Sequence, residues 1–565
     1  MRLNIKAKKN HSYDAIVIGT GISGGWAAKE LCERGLKTLV LERGRDVRHV
    51  QDYPTAMSAP WELPYNGKLP LKERENFPVQ GRAGYLDQTN KHWWVNDKEN
   101  PYTEVKPFNW IRGYHVGGKS LMWSRQCYRL SDLDFEANAK DGHGVDWPIR
   151  YKDIAPWYSK VEKFAGINGS KENLPQLPDG EFLPPMEMSC MEKAVAKRIN
   201  KAFPERRMII GRSANLTQAI EGRGQCQYRN RCIRGCPYGA YFSSNASTLP
   251  AAVATGNMTL RPWSIVTEIL FDNNTQKATG VRIIDAESNE VMEYYANIVF
   301  VNASTLASTF ILLNSVSERF PNGLGNDSGE LGHNLMDHHH LAGASGWTDE
   351  FADKTTYGRR PNGIYIPRFR NITEQRSDYV RGFGYQGNGG REAWTRGETS
   401  HALGEELKNM LSQHGPWRMG INPFGEFLPY HENRVSLNKN KRDKWGLPTL
   451  DIDCEMKQNE LNMRKDMQAC AIEMLEAAGL KDVQPFNATY TPGHGIHEMG
   501  TARMGRDPKT SVLNAHNQIH AVKNVFVTDG ACMTSSANQN PSLTYMALTA
   551  RAAHFAADEL NRRNL

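Results

Sequence analysis

Residues 13–18, YDAIVI, form a short apolar run closed by glycine, the pattern of a buried strand. Residues 22–34 carry a helical pattern that stops at Gly35, a residue suited to the position just past a helix end. Residues 37–42, KTLVLE, read as a second strand. Strand, helix and strand in about thirty residues are the opening of a doubly wound sheet. From about 47 to 109 the chain is rich in Pro, Asn, Trp and Tyr and lacks a period, which predicts long surface excursions over the core. The strand-then-helix pattern returns twice, at 298–301 before 304–313 and at 525–527 before 543–560. Between them, 355–453 is aromatic and strand-like, broken by Gly and Pro turn signals. No solenoid-length repeat and no low-complexity tract interrupts this order. The expectation is an α/β protein whose Rossmann-like nucleotide domain is assembled from discontinuous segments. An α+β substrate domain, on a mixed or antiparallel sheet, is inserted between them.

Composition narrows the partners. A chain of 565 residues exceeds one ordinary domain of roughly 150, and its 39% hydrophobic share suffices for a sizeable core, so wholesale disorder is excluded. Lys and Arg number 69 against 62 Asp and Glu, a net +7, and the charges alternate along the chain. The one basic cluster is Lys6, Lys8 and Lys9, so a solvated mixed surface follows and nucleic acid is not an expected partner. The longest uncharged stretch, 530–550, contains nine Ser, Thr, Asn or Gln residues, too polar to span a membrane. Residues 1–13 are basic without an apolar segment, so no signal peptide is expected there, and a periplasmic or membrane location would need a partner. Nine cysteines are too few, and odd in number, for a disulfide scaffold. Six stand singly, but Cys226, Cys232 and Cys236 fall within eleven residues.

Gly19-Thr20-Gly21-Ile22-Ser23-Gly24 fits G-x-G-x-x-G in the place where the pattern has meaning. It follows a strand, opens a helix, and has Glu42 at the end of the next strand, 23 residues past Gly19. Gly19 allows the tight turn, Gly21 lets a pyrophosphate approach the backbone, and Gly24 permits close helix–sheet packing. Glu42 would accept hydrogen bonds from a ribose diol and repel a 2′-phosphate, which argues against NADP. The alternative, a glycine-rich turn without a ligand, leaves Glu42 unexplained. NAD and FAD are not separated by this fingerprint. Asp529-Gly530 closes the strand at 525–527, where a carboxylate can bond a polyol, and the ribitol of FAD is such a polyol.

The ending makes the chain resemble the glucose–methanol–choline (GMC) oxidoreductases. The likeness runs over nearly the whole sequence. Beside the N-terminal fingerprint it includes Val116-Gly117-Gly118-Lys119-Ser120-Leu121-Met122-Trp123, similar to the family's second flavin loop. It includes Gly323-Leu324-Gly325 with Leu331-Gly332-His333-Asn334-Leu335-Met336-Asp337-His338, and His497-Glu498-Met499-Gly500-Thr501. It ends in Asp529-Gly530 and Asn540-Pro541-Ser542-Leu543-Thr544. The resemblance implies FAD, held non-covalently: Met122 stands where pyranose oxidases of the superfamily carry a flavin-linking His. It implies cofactor contacts from Gly19, Gly21, Gly24, Glu42, Arg43, Gly117, Gly118, Ser120, Val266, Asp529, Gly530, Asn540, Pro541 and Thr544. It divides the chain into FAD-binding parts at 1–110, 221–345 (with the cysteine cluster) and 486–565, a flavin-loop and cap region at 111–220, and a substrate domain at 346–485.

The family oxidises an alcohol by hydride transfer, using a His with a second His or an Asn. Matched by motif, His497 and Asn540 take these roles. The chemistry agrees: a neutral imidazole can take the hydroxyl proton while flavin N5 takes the hydride. Asn540 can donate to the developing alkoxide without competing as a base. His494, three residues upstream, is the nearest rival. His338, His339 and His340 suggest a metal, but consecutive side chains diverge on helix or strand alike, and three adjacent histidines rarely close around one ion.

Cys226, Cys232 and Cys236 follow C-x5-C-x3-C-P. Spacing alone leaves two readings open: a shared soft metal centre, or free thiols with or without one disulfide. No fourth cysteine or His lies close, which suits a 3Fe–4S cluster better than zinc. The resemblance implies the cluster, because catalytic subunits of bacterial FAD-dependent sugar dehydrogenases carry this spacing. It also implies a small subunit bearing a twin-arginine signal, a cytochrome c acceptor, and co-export to the periplasm. Within that branch the chain resembles glucoside 3-dehydrogenase-like subunits, which oxidise C3 of glucosides. Gluconate, fructose and glucose dehydrogenases are close alternatives. An oxygen-using pyranose oxidase-like enzyme without a cluster, and an electron-transfer subunit without substrate chemistry, are the other readings. The aromatics Trp347, Tyr357, Tyr365, Phe383, Tyr385 and Trp394 are candidates to stack on a sugar, or belong to core and rim.

Overall fold

In the computed structural model, which describes residues 12–398 and 400–565, the opening pattern folds as β1 (Ser12–Ile18), α1 (Ile22–Glu33) and β2 (Thr38–Leu41). Lys6, Lys8 and Lys9 lie outside the described residues. Later segments add β3 (Met258–Arg261), β4 (Ser264–Asp272), β5 (Lys277–Asp285), β6 (Val291–Val301) and α2 (Thr305–Asn314). The last are β7 (Gln518–Ile519), β8 (Val522–Val527) and α3 (Ser542–Asn561). The sheet runs β7-β8-β6-β1-β2-β3, parallel from β8 to β3, with β4 and β5 joined antiparallel beside β6.

β1 reads as a continuous apolar run because both faces are covered: Ala15, Ile16 and Val17 are wholly buried. β6 begins well before residue 298. Its first half pairs with β5 and is covered only in part, so it alternates instead of forming an apolar run. α1 is buried from Ser23 to Cys32 and packs against α3. Register positions the site: Ile18 pairs with Leu41 and with Val301, and Val301 with Val527. The turns after four strands therefore reach one edge of the sheet together, the edge where open α/β sheets bind ligands.

The second sheet is antiparallel, in the order Lys481–Pro485, Ala344–Thr348, Trp417–Glu426, Phe383–Arg391, Ile364–Ile366, Ile209–Ile210. His338–His339 pairs with the end of Trp417–Glu426. Ile364, Phe383, Tyr385, Met419 and Ile421 form one core with Met463 and Met467 of the helix Gln458–Ala477. Side chains alternate along a strand, so Gln386, Asn422 and Phe424 point the other way, into the site. The α/β class and the discontinuous Rossmann-like sheet are as expected. The stretch at 47–109 holds short 3₁₀ turns, the four-residue helix Leu71–Arg74 and the strand Thr103–Glu104. Among the described residues no helix is long and apolar enough to cross a membrane.

Candidate active site

A cavity of about 760 Å³ runs from the carboxyl edge of the parallel sheet to the open face of the antiparallel one. At its first end the three fingerprint glycines divide the work. A methyl group on Gly19 would lie 2.3 Å from the Asn302 carbonyl oxygen, and one on Gly24 would lie 2.0 Å from the Gly19 carbonyl oxygen. A methyl on Gly21 would meet nothing within 4 Å. The first two are needed by the protein's own backbone, and the third leaves room beside the α1 N-terminus. Glu42 accepts hydrogen bonds from Thr20 N at 3.2 Å, Thr20 Oγ1 at 2.5 Å and Gly44 N at 3.0 Å. Burial still holds its carboxyl above the usual range despite these bonds. Thr20 Oγ1 also accepts from Gly117 N at 2.9 Å, tying the fingerprint to the second loop.

Of the other expected cofactor residues, Arg43, Gly118, Ser120, Val266, Asp529, Gly530 and Asn540 line this cavity. Arg43 stacks between Tyr114 and Trp445, 4.8 and 4.9 Å from the ring centroids. Asp529 accepts from Ser308 Oγ at 2.5 Å and Ala531 N at 3.0 Å, and burial raises its pKa to about 6. Ser120 Oγ is spent on its own loop, donating to Gly117 O at 2.5 Å and accepting from Ser244 N at 3.0 Å. Gly24, Gly117, Pro541 and Thr544 do not line the cavity. Pro541 caps α3, and Thr544 Oγ1 bonds the Tyr158 hydroxyl at 2.8 Å. The walls also carry buried polar atoms without partners among the described residues: Asn302 Oδ1, Glu498 Oε1 and the Tyr545 hydroxyl. Buried polar atoms are normally bonded, so an open glycine turn, two carboxylates and these three atoms fit a phosphate-linked polyol cofactor such as FAD.

The other end brings His497 and Asn540 to the same cavity. The loop before His497 is clasped by Asp337, which is fully buried. Its carboxylate accepts from Gly493 N at 2.8 Å, Gly495 N at 3.0 Å, His497 N at 3.1 Å and the Tyr490 hydroxyl at 3.0 Å. His497 Nδ1 lies 2.9 Å from His338 Nδ1. Burial, then the nearby His338, Lys119 and His340, pushes the His497 pKa well below its ordinary value, so the ring is neutral near pH 7. Asn540 Oδ1 accepts from Gln386 Nε2 at 2.5 Å, which leaves the Asn540 amide hydrogens to donate elsewhere. His494 also lines the cavity, but its Nδ1 is 3.0 Å from His340 Nε2.

The three adjacent histidines diverge. His338 turns to His497, His339 is buried beside the Glu426 backbone, and His340 stacks on Phe424 with centroids 5.2 Å apart. The wall beyond mixes amides with cations: Gln386 and Asn422 face each other across two strands, with Gln126, Asn362 and Asn388 and the arginines Arg125, Arg359 and Arg360 in the same lining. The aromatics proposed for sugar stacking are elsewhere. Tyr365, Phe383 and Tyr385 are core, Tyr357 and Trp394 are exposed, and none of the six lines the cavity.

Cys226, Cys232 and Cys236 share one loop and are each partly buried, and Cys232 reaches the cavity wall. Burial, then the proximity of Cys232 and Cys236, raises the Cys226 thiol to about 11. Among the described residues no three His, Cys, Asp or Glu side chains converge closely enough to hold a metal ion. The three thiols do not close on a single ion, so this arrangement gives the expected 3Fe–4S cluster no support of its own. Sequence spacing brings side chains to one loop, but convergence depends on the loop's path.

Asp337, His338, Gln386, Asn422, and the Lys119–Glu498 pair at 3.1 Å were not anticipated as site residues. Asp337-His338 stands out in the sequence only as part of a family segment, and no spacing rule couples it to a loop 160 residues on.

Comparison with known proteins agrees with this geometry. Residues 13–340 and 429–549 each match the sequence family described as GMC oxidoreductase. The 2-methyl-1,2-propanediol dehydrogenase of Mycolicibacterium austroafricanum is 27% identical over 557 residues, 96% of this chain and 94% of that one. The fructose dehydrogenase large subunit of Gluconobacter japonicus is 25% identical over 570 residues, 98% of this chain and 99% of that one. The fold also matches a formate oxidase of Aspergillus oryzae, solved in a study of FAD modification, with a TM-score of 0.62 and 12% identity over 99% of this chain and all of that one. The chain belongs to the GMC oxidoreductase family and is an FAD-dependent oxidoreductase.

Proposed function

We propose that this enzyme oxidises a secondary hydroxyl of a sugar or glycoside, with C3 of a glucoside as the leading position. The observation that carries the reading is the reacting end itself. A neutral His497 and an oriented Asn540 share the cavity with the amides of Gln386, Asn362 and Asn388 and with Arg125 and Arg359, and such side chains can donate to or accept from the vicinal hydroxyls of a sugar. FAD bound at the glycine-lined end supplies the hydride acceptor. His497 takes the hydroxyl proton through its ring, and Asn540 donates to the alkoxide oxygen as the C–H bond breaks. Gly19, Gly21, Glu42, Arg43, Gly118, Val266, Asp529 and Gly530 are the residues proposed to hold the cofactor. Gly24, Gly117 and Ser120 shape its loops.

The division into three FAD-binding parts, a cap region and a substrate domain is part of this reading. So is a partner subunit: one full-length relative is by name a large subunit, which supports a complex here as well. Export to the periplasm on a partner's twin-arginine signal and transfer to a cytochrome c are finer elements. A 3Fe–4S relay on Cys226, Cys232 and Cys236 is supported by their spacing and by Cys232 at the cavity wall. Among the described residues no three such side chains close on a single ion, so the arrangement adds no support, and no electron step is routed through these thiols. Iron and sulfide analysis of anaerobically purified protein decides that point.

The test of the main reading is anaerobic reduction of the bound flavin by a panel of sugars, glycosides and 2-methyl-1,2-propanediol, with product NMR. Bleaching by a glycoside with a 3-keto product is expected. Reduction by the branched diol alone would remove the sugar assignment. Rapid peroxide formation in air without iron would favour an oxidase.

A further inference from the structure

The proton inventory around His338 has a single solution. His338 is wholly buried on the short strand His338–His339. Its Nε2 lies 2.9 Å from the Ala537 carbonyl oxygen and 3.2 Å from that of Ser536. Carbonyl oxygens only accept, so Nε2 carries a proton. Burial depresses the His338 pKa, so the ring is neutral and its Nδ1 holds a lone pair. His497 Nδ1 stands 2.9 Å from that lone pair and must be the donor. A neutral His497 with its proton on Nδ1 has its lone pair on Nε2. Among the described residues nothing bonds His497 Nε2, and the ring lines the cavity.

We propose that His338 is a positioning residue that fixes His497 as the Nδ1–H tautomer, so that the Nε2 lone pair is the proton acceptor presented to substrate. The device has two parts on consecutive residues. Asp337 clasps the His497 backbone and sets where the ring stands, while His338 sets which nitrogen is basic. The Ser536 and Ala537 carbonyls that orient His338 lie just before Asn540, so the segment ending in one member of the reacting pair dictates the tautomer of the other. When His497 accepts a proton on Nε2, its Nδ1–H bond to His338 becomes charge-assisted and strengthens. His338 itself neither gains nor loses a proton.

This inference rests on His497 being the base, and its test separates the two. In ¹⁵N-histidine-labelled enzyme with FAD bound, His497 (assigned by its loss in His497→Gln) should show a protonated Nδ1 and an unprotonated Nε2. The reverse pattern, or a mixture, overturns the proposal whatever the activity. His338→Leu removes the acceptor and should produce the tautomer mixture, with flavin reduction slowed ~10- to 10³-fold, since a wrong tautomer alone can cost up to ~10⁴. His338→Asn places an amide oxygen near the old Nδ1 position and should recover most of that loss. An unchanged reduction rate in His338→Leu with full FAD content overturns the proposal. If neither variant folds, the wild-type spectrum decides alone. Inertness of His497 in catalysis would appear separately, as unaltered turnover in His497→Ala.

Discussion

Two loops of this enzyme gather reactive side chains, and they end in opposite conditions. The loop before His497 is fastened by its backbone: three of its amides and the Tyr490 hydroxyl converge on the Asp337 carboxylate. The cysteine loop has backbone bonds of its own, such as Cys226 N to Leu216 O at 2.9 Å, but it meets residues 56–58 through its side chains. Arg229, Arg231 and Arg234 donate to the carbonyls of Ala56, Met57 and Ser58, at 2.6, 3.4 and 3.3 Å. The first arrangement fixes where a side chain starts and, through His338, which atom it offers. The second holds the loop against its neighbour, and among the described residues its thiols do not close on a single ion. Proximity in sequence is cheap to encode; convergence needs buried partners from distant segments.

The largest expected break of this contrast is His497→Ala. Flavin reduction should fall by ~10²–10⁴, the usual share of a general base, with FAD still bound. Stopped-flow absorbance at the flavin band measures it. Next is Asp337→Ala, which strands three backbone amides, those of Gly493, Gly495 and His497, while the Tyr490 hydroxyl keeps the His338 carbonyl. A loss of roughly 3 kcal/mol or more is expected by denaturant unfolding, because each unsatisfied buried donor costs about 1–3 kcal/mol.

Acid comes third. Burial holds His92 at about 4 and His115 and His340 at about 3, so they stay neutral in the folded state while the unfolded chain protonates them near 6.5. Groups of this kind stabilise the fold fully above pH 6.5 and lose that contribution progressively as the pH falls from there to their folded values of about 3 to 4. Between pH 7 and 5 each costs about 2 kcal/mol. Asp134 and Asp529, raised by burial to about 6, act in the opposite sense, each returning about 1 kcal/mol as they protonate in the folded state first. Three histidines outweigh two aspartates, so the Tm should drop between pH 7 and 5. A constant or rising Tm would show that these histidines are not neutral in the fold.

Gln386→Leu frees the Asn540 oxygen and should slow flavin reduction about five-fold, the worth of one neutral hydrogen bond near 1 kcal/mol. The smallest effect is expected on the cysteine side. Triple replacement of Cys226, Cys232 and Cys236 by Ser should leave reduction of the flavin by substrate within about two-fold. A protein that loses iron and its turnover with a protein acceptor in that variant would erase the contrast and restore the cluster.

Much of the cofactor end was legible because local geometry enforces it. A turn that must pass beneath Asn302 and pack a helix onto its own start requires glycine at 19 and 24, whatever the rest of the chain does. The reacting end was legible only in part. Motif likeness pointed to His497 and Asn540, yet Asp337, His338 and Gln386 come from loops and strands that sequence periodicity does not connect. The aromatic candidates failed for a related reason. Period-2 alternation turns Phe383 and Tyr385 into the helix-covered core and leaves Gln386 facing the cavity, and composition cannot tell which face a strand presents.

The sequence alone determined the class of sheet, the glycine turn with its acidic partner, and the family. Each is written in contiguous residues whose backbone and burial demands are local. Only the tertiary structure decided which cavity walls are amide and which nitrogen of His497 is free. It also decided how the loop of three cysteines is held against residues 56–58. Those outcomes depend on strand register and on buried hydrogen bonds between segments more than a hundred residues apart, and neither leaves a periodic trace along the chain.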